Sequence, residues 1–184
     1  SDLRVATVHL ESLANARLRR EQLALIANEV LNQHAFSMCM GDFNFDSQRN
    51  YSRHVSPLEN DSLKEILPDF WDAHEELGGT RMHKGKEGFS ELEPCTGGKT
   101  FDSDRNANIT QNEIMRYDRI MVRKNGAWKC TDLIALGDVA FMRDGRMREV
   151  FPSDHFGLMV TVERCAVGEG GEEVSEQSSL LDTK

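Results

Sequence analysis

Apolar residues recur along the first quarter of the chain with two different periods. Leu3-Arg4-Val5-Ala6-Thr7-Val8-His9-Leu10 carries β-branched residues in partial alternation, the mark of a strand. Leu18, Leu23, Ile26, Ala27, Val30 and Leu31 then fall on one face at helical spacing, with Arg17, Arg19, Arg20 and Glu21 off it. This predicts an amphipathic helix from about Asn15 to Gln33. Phe36-Ser37-Met38-Cys39-Met40 is a short apolar run, long enough for a buried strand and too short for a helix. Strand, helix and strand in this order are consistent with a crossover unit.

From Phe45 to Val55 the chain is polar and loop-like. Ser62 to Leu67 predicts a short helix and Pro68 to Leu77 another turn or two, while Gly78 to Lys99 reads as a long exposed loop. Three strands are predicted over Met115–Arg123, Trp128–Leu136 and His155–Glu163. Lys124-Asn125-Gly126 is hairpin-turn chemistry between the first two. The Gly-, Glu- and Ser-rich residues after Val167 cannot bury a core, and 166–184 read as a disordered acidic tail. A first strand that opens within three residues of Ser1 is what a domain cut open would look like.

The 184 residues suffice for one domain with a core. A net charge of −9 argues against broad binding along a nucleic-acid backbone, which wants a basic face. It leaves room for a small phosphate pocket, because a divalent cation supplies positive charge. Cys39, Cys95, Cys130 and Cys165 are widely spaced, with no C-x-x-C pair, and read as reduced thiols of an intracellular protein, nuclear or cytoplasmic. No apolar run reaches membrane-spanning length and no signal peptide is visible, so no membrane partner is expected.

The candidate chemistry lies at strand ends. In an extended Gly41-Asp42-Phe43-Asn44, Asp42 and Asn44 would share a face. An anionic oxygen beside a neutral amide suits phosphoester hydrolysis, although Asp and Asn also favour turns. His9, Asp118 and the Ser153-Asp154-His155 step likewise interrupt apolar strands. Buried ionisable groups are costly unless paired, so several of them at strand ends suggest one shared site. Asp42 would activate water, His155 would donate to the phosphoryl oxygen, and Asp118 would orient that imidazole unless it pairs with Arg116 or Arg119. A Ser-His-Asp hydrolase fails on the serine, since Ser12, Ser37 and Ser153 have no G-x-S-x-G elbow.

His9-Leu10-Glu11-Ser12, Gly41-Asp42-Phe43-Asn44, Tyr117-Asp118-Arg119-Ile120 and Ser153-Asp154-His155 occur in the order found in the endonuclease/exonuclease/phosphatase superfamily. The narrower resemblance is to the type-2 tyrosyl-DNA phosphodiesterases. It rests on His-Leu-Glu-Ser, on the Thr100–Asn108 segment and on Phe151 to Leu158, with Phe101 where that family more often has Trp.

The resemblance covers Leu3 to about Arg164 and matches only the second half of the family's domain. An Asn that binds phosphate and a Glu that is the main Mg²⁺ ligand belong to the first half. It implies an α/β fold, the C-terminal half of a four-layer DNase I-like sandwich over 1–165, with a mixed β-sheet and covering helices. In that picture each half holds mainly one sheet, and this chain's inner face lies bare without its partner half. The resemblance makes His9, Asp42, Asn44, Asp118 and His155 catalytic residues, with Asn44 on the phosphate. It places Asp154 beside the metal and Phe101, Asn106 and Ser153 near the substrate strand, Phe101 either stacking on a base or serving the core. It implies Mg²⁺, with Mn²⁺ as substitute, and a nucleic-acid end such as a protein-linked 5′ phosphate. The competing expectation is an incomplete fragment or interaction module using the acidic loop and tail, or a relative acting on RNA, phosphoinositide or another phosphodiester.

Overall fold

A computed structural model describes residues 2–52, 54–83, 92–95, 97–124, 128–142 and 149–165. The elements run β1 (Arg4–His9), α1 (Ala16–Ile26, continued by a π turn over Ala27–Leu31), β2 (Ser37–Asp42), α2 (Ser62–Ile66), β3 (Phe70–Asp72), α3 (Ala73–Glu76), β4 (Thr80–His83) and β5 (Leu92–Cys95). They continue with β6 (Phe101–Asp102), β7 (Ile114–Met115), β8 (Asp118–Arg123), β9 (Trp128–Leu136), β10 (Phe141–Met142), β11 (Glu149–Val150) and β12 (Gly157–Arg164).

β1 and β2 pair in parallel across α1, so the change from a period of two to 3.6 residues does mark a crossover unit. Two four-stranded sheets form, ordered β1-β2-β8-β3 and β12-β9-β4-β5, with two-stranded ribbons β6-β7 and β10-β11. The expectation of essentially one sheet is corrected by this second one.

The turn chemistry at 124–126 also misled. β8 already pairs with β2 on one side and β3 on the other, so β9 crosses to the second sheet and pairs with β12. The crossing buries both faces of the first sheet. On its outer face Cys39 and Met121 meet Leu23, Ala27 and Leu31 of the α1 region and Leu63 and Leu67 of the α2 region. On its inner face Met38, Ile120 and Val122 meet Cys130 and Leu133, with Leu158, Val160 and Val162 alongside. Removing about 25 cal/mol of unfavourable hydration per Å² of apolar surface drives both contacts.

Three smaller expectations change as well. The 78–99 stretch holds β4 and β5, an antiparallel pair with Thr80 opposite Cys95 and Thr80 and Met82 buried. The 68–77 stretch is β3 followed by one helical turn, not helix alone. Arg19, placed by periodicity off the apolar face, is 1% exposed, because Glu59 and the carbonyls of Glu11 and Leu13 take up its guanidinium. Residues 166–184 and most of the acidic loop, 84–91, lie outside the described residues. Among the described residues no helix is long and apolar enough to cross a membrane.

Candidate active site

Strand register builds the site. Side chains two apart share a face, so the inner-face series Met38, Met40 on β2 continues to Asp42, and Val122, Ile120 on β8 continues to Asp118. His9 on β1 lies beside Asp42, and Asp118 lies opposite it. The apolar inner face thus ends in one polar row, His9–Asp42–Asp118, at the carboxyl ends of the parallel strands, where α/β sheets keep their ligands. Gly41 lets the strands close there: at φ 132°, a Cβ would stand 2.0 Å from the Val8 carbonyl oxygen.

The second sheet supplies His155, in the segment just before β12. Its Nδ1 is 2.8 Å from Asp118 Oδ2, and its Nε2 is 4.0 Å from Asp42 Oδ2. His9 approaches the same Asp42 oxygen at 3.6 Å, with its side chain 76% exposed. Arg116 and Arg119, the rival partners for Asp118, both turn to the buried Asp72, at 2.6 and 3.3 Å.

Burial raises the Asp42 carboxyl above its ordinary value, against the Asn44 N–H that bonds it, and the nearby charge of Asp118 raises it further. For His155, burial favours the neutral ring. The hydrogen bond and charge of Asp118, joined by Asp42 and Asp154, outweigh it and hold the imidazole above its usual value. The row therefore pairs a more basic carboxylate with an imidazole that keeps its proton more readily, one a proton acceptor and the other a proton donor.

Asn44 departs from the extended geometry. It sits at φ 55°, its backbone N–H donates to Asp42 Oδ1 at 2.8 Å, and its side-chain amide donates to the Leu10 carbonyl at 2.8 Å. Asp42 and Asn44 thus form an Asx turn, and the amide ties together the loops after β1 and β2.

Phe101 and Asn106, expected near the substrate strand, are buried. Phe101 is 6% exposed in a cluster with Ile109, Met115 and Tyr117, its ring centre 5.0 Å from that of His155. Its ring backs the imidazole. Asn106 is 0% exposed and donates to the Ser153 and Asp154 carbonyls at 2.9 and 3.2 Å. The Ser153 hydroxyl accepts from the His155 N–H and donates to Asp154 Oδ1.

One contributor was marked only by the segment it belongs to. Thr100 Oγ1 accepts from the Asp118 N–H at 3.0 Å while its carbonyl accepts from Phe156 N–H at 2.7 Å. It thereby joins the two sheets beside the dyad. Its position in the Thr-Phe-Asp segment was the available hint.

Among the described residues, Asp42, Asp118 and His155 are the group whose ligand atoms all lie within 4.8 Å of one another; Asp154 is not part of it. The fit to Mg²⁺ is partial. A hard cation wants oxygens, and it can bind through one or two carboxylates plus substrate phosphate. Asp42 meets that need, whereas Asp118 already serves the His155 ring.

No protein-family model matches the chain, and no curated protein does. Solved structures do. TDP2 of D. rerio, complexed with single-strand DNA product, is similar over 88% of this chain and 56% of its own, at 21% identity and TM-score 0.59. A mannosyl-6-phosphatase of Bacteroides thetaiotaomicron matches over 85% of this chain and 49% of its own, at 16% identity and TM-score 0.52. An endonuclease/exonuclease/phosphatase family protein of the same organism matches over 85% and 48%, at 16% identity and TM-score 0.53. The chain spans about half the length of these proteins. With two packed mixed sheets and covering helices, it has the DNase I-like α/β fold of the endonuclease/exonuclease/phosphatase proteins.

Proposed function

We propose that this chain carries the acid-bearing part of a metal-dependent phosphodiesterase acting on a nucleic-acid end, with residues 1–165 as the later portion of the catalytic domain. One observation carries the reading: His155 is held by Asp118 at 2.8 Å with its other ring nitrogen facing Asp42, in a row at the strand ends. In this reading Asp42 orients water and takes its proton. His155, its tautomer fixed by Asp118, donates from Nε2 to a phosphoryl oxygen as charge builds there. His9 sits beside the same carboxylate, within reach of the phosphate.

Asp42 is the carboxylate best placed to help hold Mg²⁺, or Mn²⁺ in its place, with Asp154 as a further candidate, and such an ion would offset charge on the phosphate and the leaving oxygen. Its remaining ligands would come from a segment matching the other half of the longer relatives. The DNA product bound by the D. rerio protein supports a nucleic-acid substrate, and the net charge of −9 favours an end over a long duplex tract. An interaction module without chemistry is the second reading. It is favoured by β1, an edge strand whose inner-facing Val5 stays 47% exposed.

The test is hydrolysis of a 5′-phosphotyrosyl oligonucleotide, beside bis(p-nitrophenyl) phosphate and mannose 6-phosphate, by the full-length protein with Mg²⁺, Mn²⁺ or EDTA. The expected result is metal-dependent release of tyrosine, lost on His155→Ala. Activity unchanged by His155→Ala would end this mechanism, and hydrolysis confined to mannose 6-phosphate would end the substrate assignment.

A further inference from the structure

A second cluster of charged side chains surrounds a fully buried carboxylate. Asp138, in the segment between β9 and β10, has a side chain with 0% exposure. It accepts from the His83 backbone N–H at 2.7 Å, contacts His83 Nδ1 at 2.6 Å and faces Arg105 Nη2 at 3.5 Å. The same guanidinium donates to the His83 carbonyl at 3.3 Å and reaches Met82 Sδ at 3.1 Å. Its central carbon lies 5.7 Å from the ring centre of Phe156. Phe156 is 0% exposed and follows His155 directly.

Arg105 also belongs to the segment between β6 and β7 that grips the approach to His155. Asn106 holds the Ser153 and Asp154 carbonyls, and Asn108 holds those of Phe151 and Ser153, at 3.0 and 3.3 Å. These amides fix the His155 backbone only if their own segment is fixed. A fully buried carboxylate strongly retains a cation, because leaving it uncompensated is costly. Arg105 meets that need, and its planar group also covers Phe156.

We propose that Arg105 is a positioning residue for His155, anchored by Asp138 and acting through the Asn106–Asn108 grip and the Phe156 ring. The inference rests on the functional reading for its catalytic consequence only; the positioning is a property of the fold.

The experiment reads the His155–Asp118 hydrogen bond directly in the ¹⁵N-histidine-labelled full chain at fixed pH. The probe is the downfield Nδ1–H proton resonance, assigned by its loss in His155→Gln. Arg105→Met keeps the stem without the charge, and Arg105→Lys keeps a cation without the planar group. The Met variant is expected to lose or broaden the resonance while circular dichroism shows it folded, and the Lys variant to recover it in part. Asp138→Asn, which strands Arg105 without its charge partner, should weaken it as well.

If the proposed activity holds in the full-length protein, Arg105→Met should lower kcat about tenfold to a hundredfold with KM nearly kept, the usual penalty for small misplacement of a reacting group. A sharp, unshifted resonance in folded Arg105→Met would overturn the positioning role, whether or not the protein hydrolyses anything. Loss of the resonance in a protein without phosphodiesterase activity would sustain the positioning role and overturn the functional reading instead.

Discussion

The two histidine–carboxylate pairs invite comparison, because their contacts are nearly equal and their surroundings are not. His155 Nδ1 meets Asp118 at 2.8 Å, and His83 Nδ1 meets Asp138 at 2.6 Å. Asp138 is closed off: its side chain has 0% exposure, and Arg105 brings a cation to the oxygen that the His83 N–H also bonds. Asp118 is 19% exposed and sits across from a second carboxylate, Asp42, with no arginine ion-paired to it among the described residues. Its partner is the His155 ring, whose hold on a proton its hydrogen bond and charge strengthen. A carboxylate neutralised by fixed partners serves the fold. One whose counter-charge is a removable proton can serve a reaction.

The comparison breaks most sharply by substitution in the full-length protein. Asp118→Asn should reduce turnover by about 10³ to 10⁴, the cost of losing an orienting carboxylate, with KM and thermal stability nearly kept. Paired kinetics and melts decide it. A loss of only a few-fold would make the dyad structural, like its counterpart.

The next effect runs the other way. Asp138→Ala removes one partner of a buried charge pair and leaves Arg105 and His83 without their acceptor, so unfolding free energy should drop by about 3 kcal/mol. Urea denaturation of both variants measures the contrast directly. Should Asp118→Ala cost the fold as much as Asp138→Ala, the division between a closed and an open pair fails.

How much of this was legible in the sequence follows from how local each cause is. The crossover unit was readable because the period changes from two to 3.6 between Leu10 and Leu18. The row His9–Asp42–Asp118 was readable as strand-end polarity, since each residue keeps the parity of the apolar inner face behind it. The second sheet was not. The Lys-Asn-Gly step has the chemistry of a hairpin, and only the prior claim of β2 and β3 on both edges of β8 forbids one. Arg19 was misplaced for a related reason. It is buried by a partner 40 residues away, Glu59, and the contacts of Phe101 with His155 and of Asn106 with Ser153 are likewise distant in sequence. Thr100 acts through a hydroxyl and a carbonyl at once, and periodicity carries no trace of that.

The smallest expected effect is on the pH dependence of stability, and it separates the causes acting on the open pair. His155 holds its proton above the ordinary histidine value of about 6.5. The folded protein therefore binds that proton more tightly than the unfolded chain. The stabilisation is complete below about pH 6.5 and is lost as pH rises through the folded value. Asp42, also raised, tilts stability in the same direction at more acidic pH, since burial and then Asp118 disfavour its ionised form. Asp118→Asn removes the hydrogen-bonded charge that raises His155 and the like charge that contributes to Asp42. Melting temperatures taken from about pH 4 to about pH 9 should fall through the neutral window in the parent protein, and that step should flatten in Asp118→Asn. The acid-side slope should shrink less, because burial remains the leading cause at Asp42. A neutral step of equal size in both proteins would mean that His155 owes its retained proton to something other than Asp118.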